Sequence, residues 1–394
     1  MTDFEDKALL PPGMTDVLAP DAGFEASVLA RLMEWFSKRG YERVEPPLIE
    51  FEDGLLTGIG AGLAEQTFRM MDPVSQRMMA VRADITPQIA RIAQARLAKA
   101  PRPLRLCYAG HVLRVRGTQL RPERQFTQVG AELIGAAEPA ADAEVIVMAA
   151  EALIDLGVRD LSCDLGLPTL VAAVSEDSPA GLEARARLRQ ALDRKDAAAV
   201  AGLSADFGAP TIRILSAMLA ATGPAAETLD ALGGLGLNPA AAAGRDLLAD
   251  VTDRIRAMSP DLTMTVDPVE NRGFEYHTGV TFTFFATGVR GELGNGGRYQ
   301  ANGTAEGGDG EPATGFTLFM DTVIRALPAP ERADRVYVPA PTPVAEAAKL
   351  RAEGWITVSG LAKTDEAKVE AARLGCGHVL ADGEVQKLGN RDKA

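Results

Sequence analysis

The stretch LCYAGHVLRVRGTQLRPERQFTQVGAELIG, residues 106–135, decides the fold of this chain. Two runs rich in strand-forming residues, 104–116 and 124–134, flank a polar segment, 117–123. Such runs separated by a polar, turn-forming segment are typical of two antiparallel strands joined by a loop. The pattern therefore predicts an antiparallel hairpin with a long tip.

One face of this hairpin is predicted to be polar. Residues two apart on a strand share a face, so Arg114 and Arg116 are expected to point the same way. Gln128 and Glu132 likewise share a face of the return strand. Arginine presents a planar fork that suits a carboxylate or a phosphate. A glutamate or glutamine accepts hydrogen bonds from an amine or an imidazole. The hairpin is thus a candidate ligand-binding surface.

Further blocks supply candidate contacts. VRADITP, residues 81–87, contains Asp84, whose carboxylate suits an ammonium group, and Thr86, which adds a hydroxyl. Thr86 followed by proline is also a signal for a capped helix start, so a helix is predicted from there to about Lys99. The last block is NRGFEYHTG, residues 271–279, followed by GNGGRY, residues 294–299.

The composition indicates a globular protein whose main partner is not nucleic acid. The 394 residues are 46% hydrophobic and 24% charged, and the net charge is −13. A protein that grips a polyanion usually carries a basic surface. Cys107, Cys163 and Cys376 are far apart, which disfavours a disulfide framework and a zinc site, so no metal and no cofactor are expected. The first residues lack a signal-peptide pattern and no apolar run is long enough to span a membrane, so a cytoplasmic location without membrane contact is expected.

The periodic patterns predict an α+β fold in two domains. The larger domain, 1–327, combines an antiparallel sheet with flanking helices, and its alanine-dense region, about 170–260, is predicted to be a helical insertion. A final helix is predicted over 315–327. Beyond a linker at 328–334, alternating strand and helix patterns predict a small C-terminal α/β domain, 335–394.

These motifs resemble those of the class II aminoacyl-tRNA synthetases, and of histidyl-tRNA synthetase in particular. RVEPPLIE, residues 43–50, resembles the dimer-forming first motif, and residues 113–135 resemble the second, with Arg114 in the place of its invariant arginine. RGFEYHTG, residues 272–279, resembles the histidine-specific signature RG-x-x-YY-TG. The resemblance covers residues 8–327, and it implies the class II fold and a self-associated dimer.

The chain departs from this family at positions that serve ATP. The second motif normally reads Arg-x-Glu, and its glutamate meets the adenine amino group; here that position is Arg116, a cation that cannot accept a hydrogen bond. Thr322 stands where the third motif has its ATP-gripping arginine, and Arg325 is displaced by about a helical turn. His277 replaces the second tyrosine of the histidine signature. The resemblance thus implies a retained amino-acid pocket beside a lost nucleotide site.

This profile is similar to that of the regulatory subunits of short-form ATP phosphoribosyltransferases. The similarity implies a non-catalytic protein, with no catalytic residues of its own, that partners the catalytic subunit in the first step of L-histidine biosynthesis. It also implies feedback regulation with L-histidine as effector and no tRNA partner. The alternative is an active histidyl-tRNA synthetase.

The resemblance also gives a set of histidine-binding residues. They are Asp84, Thr86, Arg114, Gln128, Glu132, Arg272, Tyr276 and His277. The first two, together with the glutamine, are expected at the α-amino group, and the two arginines are expected at the carboxylate. The glutamate and the tyrosine are expected at the imidazole. The histidine has two open interpretations: a ligand contact, or a packed and hydrogen-bonded side chain.

Overall fold

The structure of this chain is a computed structural model. The structure describes residues 9–118, 121–270, 276–301, 310–330 and 334–389. The chain divides into two compact units, Met1–Pro328 and Ala329–Ala394. Within the described ranges, every helix is too short or too polar to cross a membrane.

The first unit is built on a large, mostly antiparallel sheet. Its strands are β1 (Glu42–Arg43), β2 (Ile49–Phe51), β3 (Arg69–Met71), β4 (Met78–Val81), β5 (Leu104–Leu113), β6 (Gln125–Ile134), β7 (Leu161–Gly166), β8 (Gly223–Pro224), β9 (Thr263–Asp267), β10 (His277–Ala286), β11 (Gly294–Ala301) and β12 (Glu311–Phe319). Nine described strands form the sheet in the order β1-β5-β6-β12-β11-β10-β7-β9-β8, and β2-β4-β3 form a small separate sheet. Within the large sheet, β1 runs parallel to β5 and β7 parallel to β9. The predicted α+β fold with an antiparallel sheet is confirmed.

Helices cover this sheet and fill the region between β7 and β9. They are α1 (Asp21–Ser37), α2 (Glu52–Leu55), α3 (Thr86–Ala95), α4 (Pro139–Leu156), α5 (Thr169–Val174), α6 (Leu182–Asp193), α7 (Ala197–Ala201), α8 (Ser204–Phe207), α9 (Ala209–Ala220), α10 (Ala225–Gly233), α11 (Pro239–Met258) and α12 (Met320–Ala326), with a 3₁₀ helix at Gly58–Gln66. Helix α4 buries 12 of its 18 residues, because most of its apolar side chains lie in the main core. Helix α1 buries Val28, Leu32 and Phe36 in the same core, and its partly buried Phe24, Leu29, Met33 and Trp35 pack against it.

The predicted hairpin is present, but its first strand is shorter than expected. Strands β5 and β6 pair continuously from Leu104 opposite Ile134 to Leu113 opposite Gln125. Because β5 ends at Leu113, Arg114 lies in the connection, and the alternation used to orient it does not apply.

Two local predictions are wrong. Thr86 does not cap α3: it is the first residue of that helix, which ends at Ala95, and its hydroxyl donates to Glu132 instead. The run from Gly315 to Phe319 belongs to β12 rather than to a helix, since it pairs with β6. Short apolar runs fit a strand or a helix equally well, and here pairing with the hairpin decides the outcome.

The second unit has its own sheet and core. Its elements are β13 (Arg335–Ala340), α13 (Val344–Ala352), β14 (Ile356–Lys363), α14 (Ala367–Arg373), β15 (His378–Ala381) and β16 (Glu384–Lys387). The strand order is β14-β13-β15-β16, in which β13 runs parallel to both neighbours. Val336, Val338 and Leu350 pack on one side of the sheet, and Tyr337 and Val379 on the other.

Candidate functional site

The candidate site is a cleft where the β5–β6 hairpin meets the start of α3 and strands β10–β12. Its outer part is an open cavity of about 220 Å³ lined by Ile59, Gly62, Leu63, Asp84, Thr86, Pro87 and Tyr276. A smaller recess shares three of these residues and continues inward to Glu132, Tyr299 and Thr317. The cleft therefore has an apolar outer wall and a polar inner end.

Asp84 is held in place at the junction of the two parts. Gln128 donates from Nε2 to Asp84 Oδ2 at 2.9 Å, and its Oε1 accepts from the Ile85 backbone N–H at 3.0 Å. The Thr86 backbone N–H donates to the other Asp84 oxygen at 2.9 Å. The Asp84 side chain nevertheless stays 22% exposed, so its carboxylate is fixed in direction and still accessible to a cation.

Glu132 forms the buried inner end of the cleft. Its side chain is 1% exposed and accepts hydrogen bonds from Thr86 Oγ1 at 3.1 Å and from the Tyr299 hydroxyl at 2.9 Å. Burial raises the pKa of the Glu132 carboxyl to about 8, although these two hydrogen bonds act to lower it. The Glu132 carboxyl is therefore largely protonated near neutral pH. It is ready either to donate to an imidazole nitrogen or to accept from one after ionising.

A layer of hydroxyl groups orients this carboxyl. The Tyr108 hydroxyl lies 2.7 Å from Thr317 Oγ1 and 3.3 Å from Thr86 Oγ1. Burial raises the pKa of both Tyr108 and Tyr299, so both phenols keep their protons and remain donors. Sequence reasoning missed Tyr108, Tyr299 and Thr317 as site residues. The available signal for Tyr299 was its position at the end of GNGGRY.

Glycines make the floor of the recess. A Cβ atom on Gly315 would lie 1.8 Å from Glu132 Oε2, and one on Gly297 would lie 2.7 Å from His277 Cδ2. On Gly130 it would lie 2.4 Å from the Tyr108 hydroxyl. Real Cβ contacts are longer than this, so the polar side chains fit only because the strands beneath them carry hydrogen at these positions.

Tyr276 and His277 form one wall. Their rings stack with centroids 4.1 Å apart, and the Tyr276 ring meets Tyr299 edge-on at 6.0 Å. Burial lowers the pKa of His277 to about 3, so its imidazole is neutral at physiological pH. A pH-dependent charge on His277 is therefore not expected near neutral pH.

Of the two predicted carboxylate-binding arginines, Arg114 is the one that the structure describes. Arg114 donates from Nε to the Ala83 carbonyl at 3.3 Å, and its guanidinium lies 3.9 Å from Asp84 Oδ2. It also lies over the Phe126 ring, 5.1 Å from the centroid. Arg114 is thus brought to the rim of the cleft, beside Asp84. Arg272 lies outside the described residues.

The hairpin tip packs against the start of α12, where the resemblance places the third motif. Arg121 is 7% exposed, lies 3.6 Å over the Phe319 ring and donates to Asp321 Oδ2 at 3.2 Å. Thr322 is 1% exposed and accepts a hydrogen bond from Arg325 at 3.2 Å. The Arg121 guanidinium is thus directed at a carboxylate, a carbonyl and a ring of the same chain, whereas the Arg325 side chain is 43% exposed.

The arrangement suits binding better than bond-making. A fixed, accessible carboxylate at Asp84 complements an ammonium group, and the buried Glu132 complements a heterocyclic N–H or nitrogen. Across the described ranges, no group of three or more histidine, cysteine, aspartate or glutamate side chains is arranged to hold a metal ion.

The sequence of this chain matches a protein-family model and the sequences of several named relatives. The family model described as histidyl-tRNA synthetase matches residues 13–323. The ATP phosphoribosyltransferase regulatory subunit of Paramagnetospirillum magneticum is 58% identical over 387 residues, covering 98% of this chain and 100% of the relative. The protein of the same name from Rhodospirillum centenum is 54% identical, covering 98% of this chain and 97% of the relative.

Solved structures agree on the fold. The structure described as an ATP phosphoribosyltransferase regulatory subunit/histidyl-tRNA synthetase from Bacillus halodurans has a TM-score of 0.80 at 24% identity. The match covers 93% of this chain and 96% of that one. At this identity the likeness speaks for the class II synthetase fold alone.

Proposed function

This chain belongs to the ATP phosphoribosyltransferase regulatory subunits, within the histidyl-tRNA synthetase family, and we propose that it serves as such a subunit. In this role it joins a short-form catalytic subunit and is needed for the first step of L-histidine biosynthesis. It catalyses no reaction itself and binds no tRNA. L-Histidine is the effector that it senses.

One observation carries this proposal: the Asp84 carboxylate is accessible to a ligand, whereas the Arg121 guanidinium is paired within the chain. The Asp84 carboxylate is fixed but open to a ligand, and the cavity leads from it to Glu132. The Arg121 guanidinium, by contrast, lies over the Phe319 ring. An adenylating enzyme needs positive charge aimed at the reacting phosphates, whereas Arg121 is committed to Asp321.

In the proposed complex, the histidine ammonium group binds Asp84, with Thr86 and Gln128 beside it. The imidazole points inward to Glu132, and Tyr276 forms the wall along which the ligand lies. The hydrogen bonds that fix Asp84 and Glu132 before any ligand arrives support this pose, because fixed partners lower the ordering cost of binding.

The remaining contacts complete the ligand set. The histidine carboxylate is assigned to Arg114, at the rim, and to Arg272. His277 is assigned a packing role against Tyr276 together with a contact from its neutral ring.

Regulation follows from differential binding. Histidine that binds one arrangement of the hetero-oligomer more tightly than another shifts the population toward it, and the catalytic partner follows. A ligand with equal affinity for both arrangements would change nothing, however tightly it bound.

Self-association is proposed through the small β2-β4-β3 sheet. This sheet carries exposed apolar side chains, with Phe51 37%, Met71 64% and Met78 42% exposed. Strand β2 directly continues the stretch that resembles the dimer-forming motif. A second copy of the chain is the proposed occupant, since large exposed apolar patches mark interfaces.

Sedimentation analysis tests this dimer. Met71→Glu should shift the chain toward monomer. Val344→Glu, a matched change at a side chain 81% exposed in the second unit, should leave the dimer intact. An unchanged dimer in Met71→Glu would refute this assignment of the interface.

Co-purification with a short-form catalytic subunit tests the main proposal. Phosphoribosyltransferase activity should rise when this chain is added and should then fall as histidine is titrated in. A stable complex that gains no activity and ignores histidine would be inconsistent with the regulatory role.

The second candidate function is an active histidyl-tRNA synthetase, which the family model favours. Histidine-dependent exchange of pyrophosphate into ATP separates the two functions. We expect no exchange, and clear exchange by the purified chain would reject the regulatory assignment.

A further inference from the structure

The helical region between β7 and β9 touches the large sheet through a polar contact far from the cleft. Lys195 lies between α6 and α7 in a left-handed backbone conformation, with φ +52. Its ammonium group donates to Oδ2 of Asp267, the last residue of β9. Thr222, from the same helical region, lies 3.3 Å from the other oxygen of that carboxylate. Two side chains of the helical region thus hold one strand end.

Lys195 also balances a local excess of negative charge. Asp267 is 5% exposed, and Asp164 lies on the neighbouring strand β7. Burial raises the pKa of Asp164, and the charges of Asp267 and Glu270 act in the same direction, whereas Thr265 and Lys195 act to lower it. Removing the lysine would leave these acidic groups to repel one another at a buried strand end, where charges are poorly screened.

Asp267 stands in register with the cleft. One row of paired residues crosses the sheet through Asp267, Gly166, Thr281, Gly297, Gly315 and Glu132. Paired residues in a ladder point to the same face. Five strand spacings separate the two carboxyl groups, roughly 24 Å at about 4.8 Å per strand. Rigid strands joined by hydrogen bonds are the kind of element that carries coupling over such a distance.

The chain itself gives a second connection. Along the chain, β9 ends at Asp267 and β10 begins at His277. The end of β9 is fixed by the Asp267 carboxylate, which accepts a hydrogen bond from the Val269 backbone N–H at 3.2 Å. The start of β10 is fixed by the pairing of His277 with Tyr299. The Tyr299 hydroxyl in turn donates a hydrogen bond to Glu132. The connection between these two strands therefore ends in the wall of the cleft.

We propose that Lys195 is a positioning residue for the ligand cleft: its ion pair with Asp267 ties the helical region to the sheet and sets the affinity for histidine. The inference rests on the proposed function. Coupled sites typically change each other's affinity by roughly 5–150-fold. Loss of one ion pair at a distance should lie at the low end of that range.

Calorimetric titration of the full chain with L-histidine, with thermal unfolding in parallel, tests the proposal. Lys195→Met should weaken binding about tenfold. Arg194→Met removes the same charge from the adjacent exposed position and should leave the affinity within about twofold. Lys195→Arg should keep most of the histidine affinity of the unaltered chain. The double variant Lys195→Met with Asp267→Asn should bind histidine no more weakly than Asp267→Asn alone.

The outcomes separate this inference from the function on which it rests. Unaltered protein that does not bind histidine overturns both. Histidine binding by the unaltered protein, together with unchanged affinity in Lys195→Met, overturns the positioning role alone. If Lys195→Met does not fold, Thr222→Val repeats the test at smaller amplitude: about threefold weaker binding is expected, and unchanged affinity defeats the proposal.

Discussion

The side chains around Asp84 and those around Arg121 use charge in opposite ways. At the end assigned to the amino acid, Asp84 is oriented by Gln128 and keeps 22% of its side chain exposed. Between the hairpin tip and α12, the Arg121 and Asp321 side chains are only 8% and 11% exposed and are directed at each other. A ligand pocket is therefore marked by polar groups that are held in place and can still bind another partner. Groups that satisfy one another are structural.

Arg121→Ala is expected to have the largest effect, and on stability rather than on histidine binding. Removing one member of a buried ion pair costs roughly 3–5 kcal/mol, because the other charge is left unpaired. Urea unfolding should show this loss, whereas histidine affinity should stay within about twofold. The matched control Arg325→Ala, at a side chain 43% exposed, should cost less than about 1 kcal/mol. Weaker histidine binding in folded Arg121→Ala would show that the Arg121–Asp321 pair contributes to the histidine site.

Glu132→Gln should change how stability depends on pH. The native carboxyl has a pKa of about 8 against 4.5 for the ordinary side chain. Between these values the native state keeps a proton that the unfolded chain has lost. The stabilisation from this group is therefore complete below about pH 4.5 and is lost as the pH rises through 8.

The amide variant lacks this titration. At pH 9 it should be more stable than the unaltered chain by roughly 2–4 kcal/mol, at about 1.4 kcal/mol per pKa unit. Urea unfolding at pH 5, 7 and 9 measures the difference. Parallel pH profiles for the two proteins would show that Glu132 titrates normally.

Gly315→Ala should obstruct the amino-acid end. Its Cβ would overlap Glu132 Oε2, so the carboxyl must move, and overpacking of this kind costs roughly 1–3 kcal/mol, or about 5–150-fold in histidine affinity. Gly181→Ala is the control, since a Cβ there meets nothing within 4 Å. Equal histidine affinities in the two variants would show that the recess is not the ligand site.

Tyr299→Phe should have the smallest effect. It removes one donor to Glu132, worth about 1 kcal/mol, so histidine should bind roughly fivefold more weakly. Because that hydrogen bond lowers the pKa of Glu132, its loss should move the pKa further up. Nuclear magnetic resonance titration of labelled glutamate measures the shift, and a downward move would contradict this role of Tyr299.

The hairpin and the class II fold could be predicted because local pattern and motif agree there. Alternation and the polar tip of residues 104–134 indicated two paired strands, and β5 and β6 are those strands. The strand over Gly315 to Phe319 could not be predicted in this way. Its residues are strand-like only in the company of β6 and β11, which pair with them on both sides.

The site was predictable in part. Asp84, Gln128 and Glu132 stand in motifs with a known resemblance, and the structure brings them together. Tyr108 and Thr317 were not predictable, because a tyrosine on an apolar strand and a threonine in an apolar run look like ordinary core residues. Their hydroxyl groups meet only after β12 has paired with the hairpin.

The glycine floor of the recess sets a limit on how this protein adapts. A cavity bounded by side chains can be resized by changing rotamers, but one bounded by backbone can be resized only by bending a strand that is hydrogen-bonded on both edges. Gly297 and Gly315 sit opposite each other on adjacent central strands. Selectivity between ligands of slightly different size is thus built into the rigid frame. Substitutions that broaden it should arise in the outer wall, around Ile59 and Leu63, where the cavity is open.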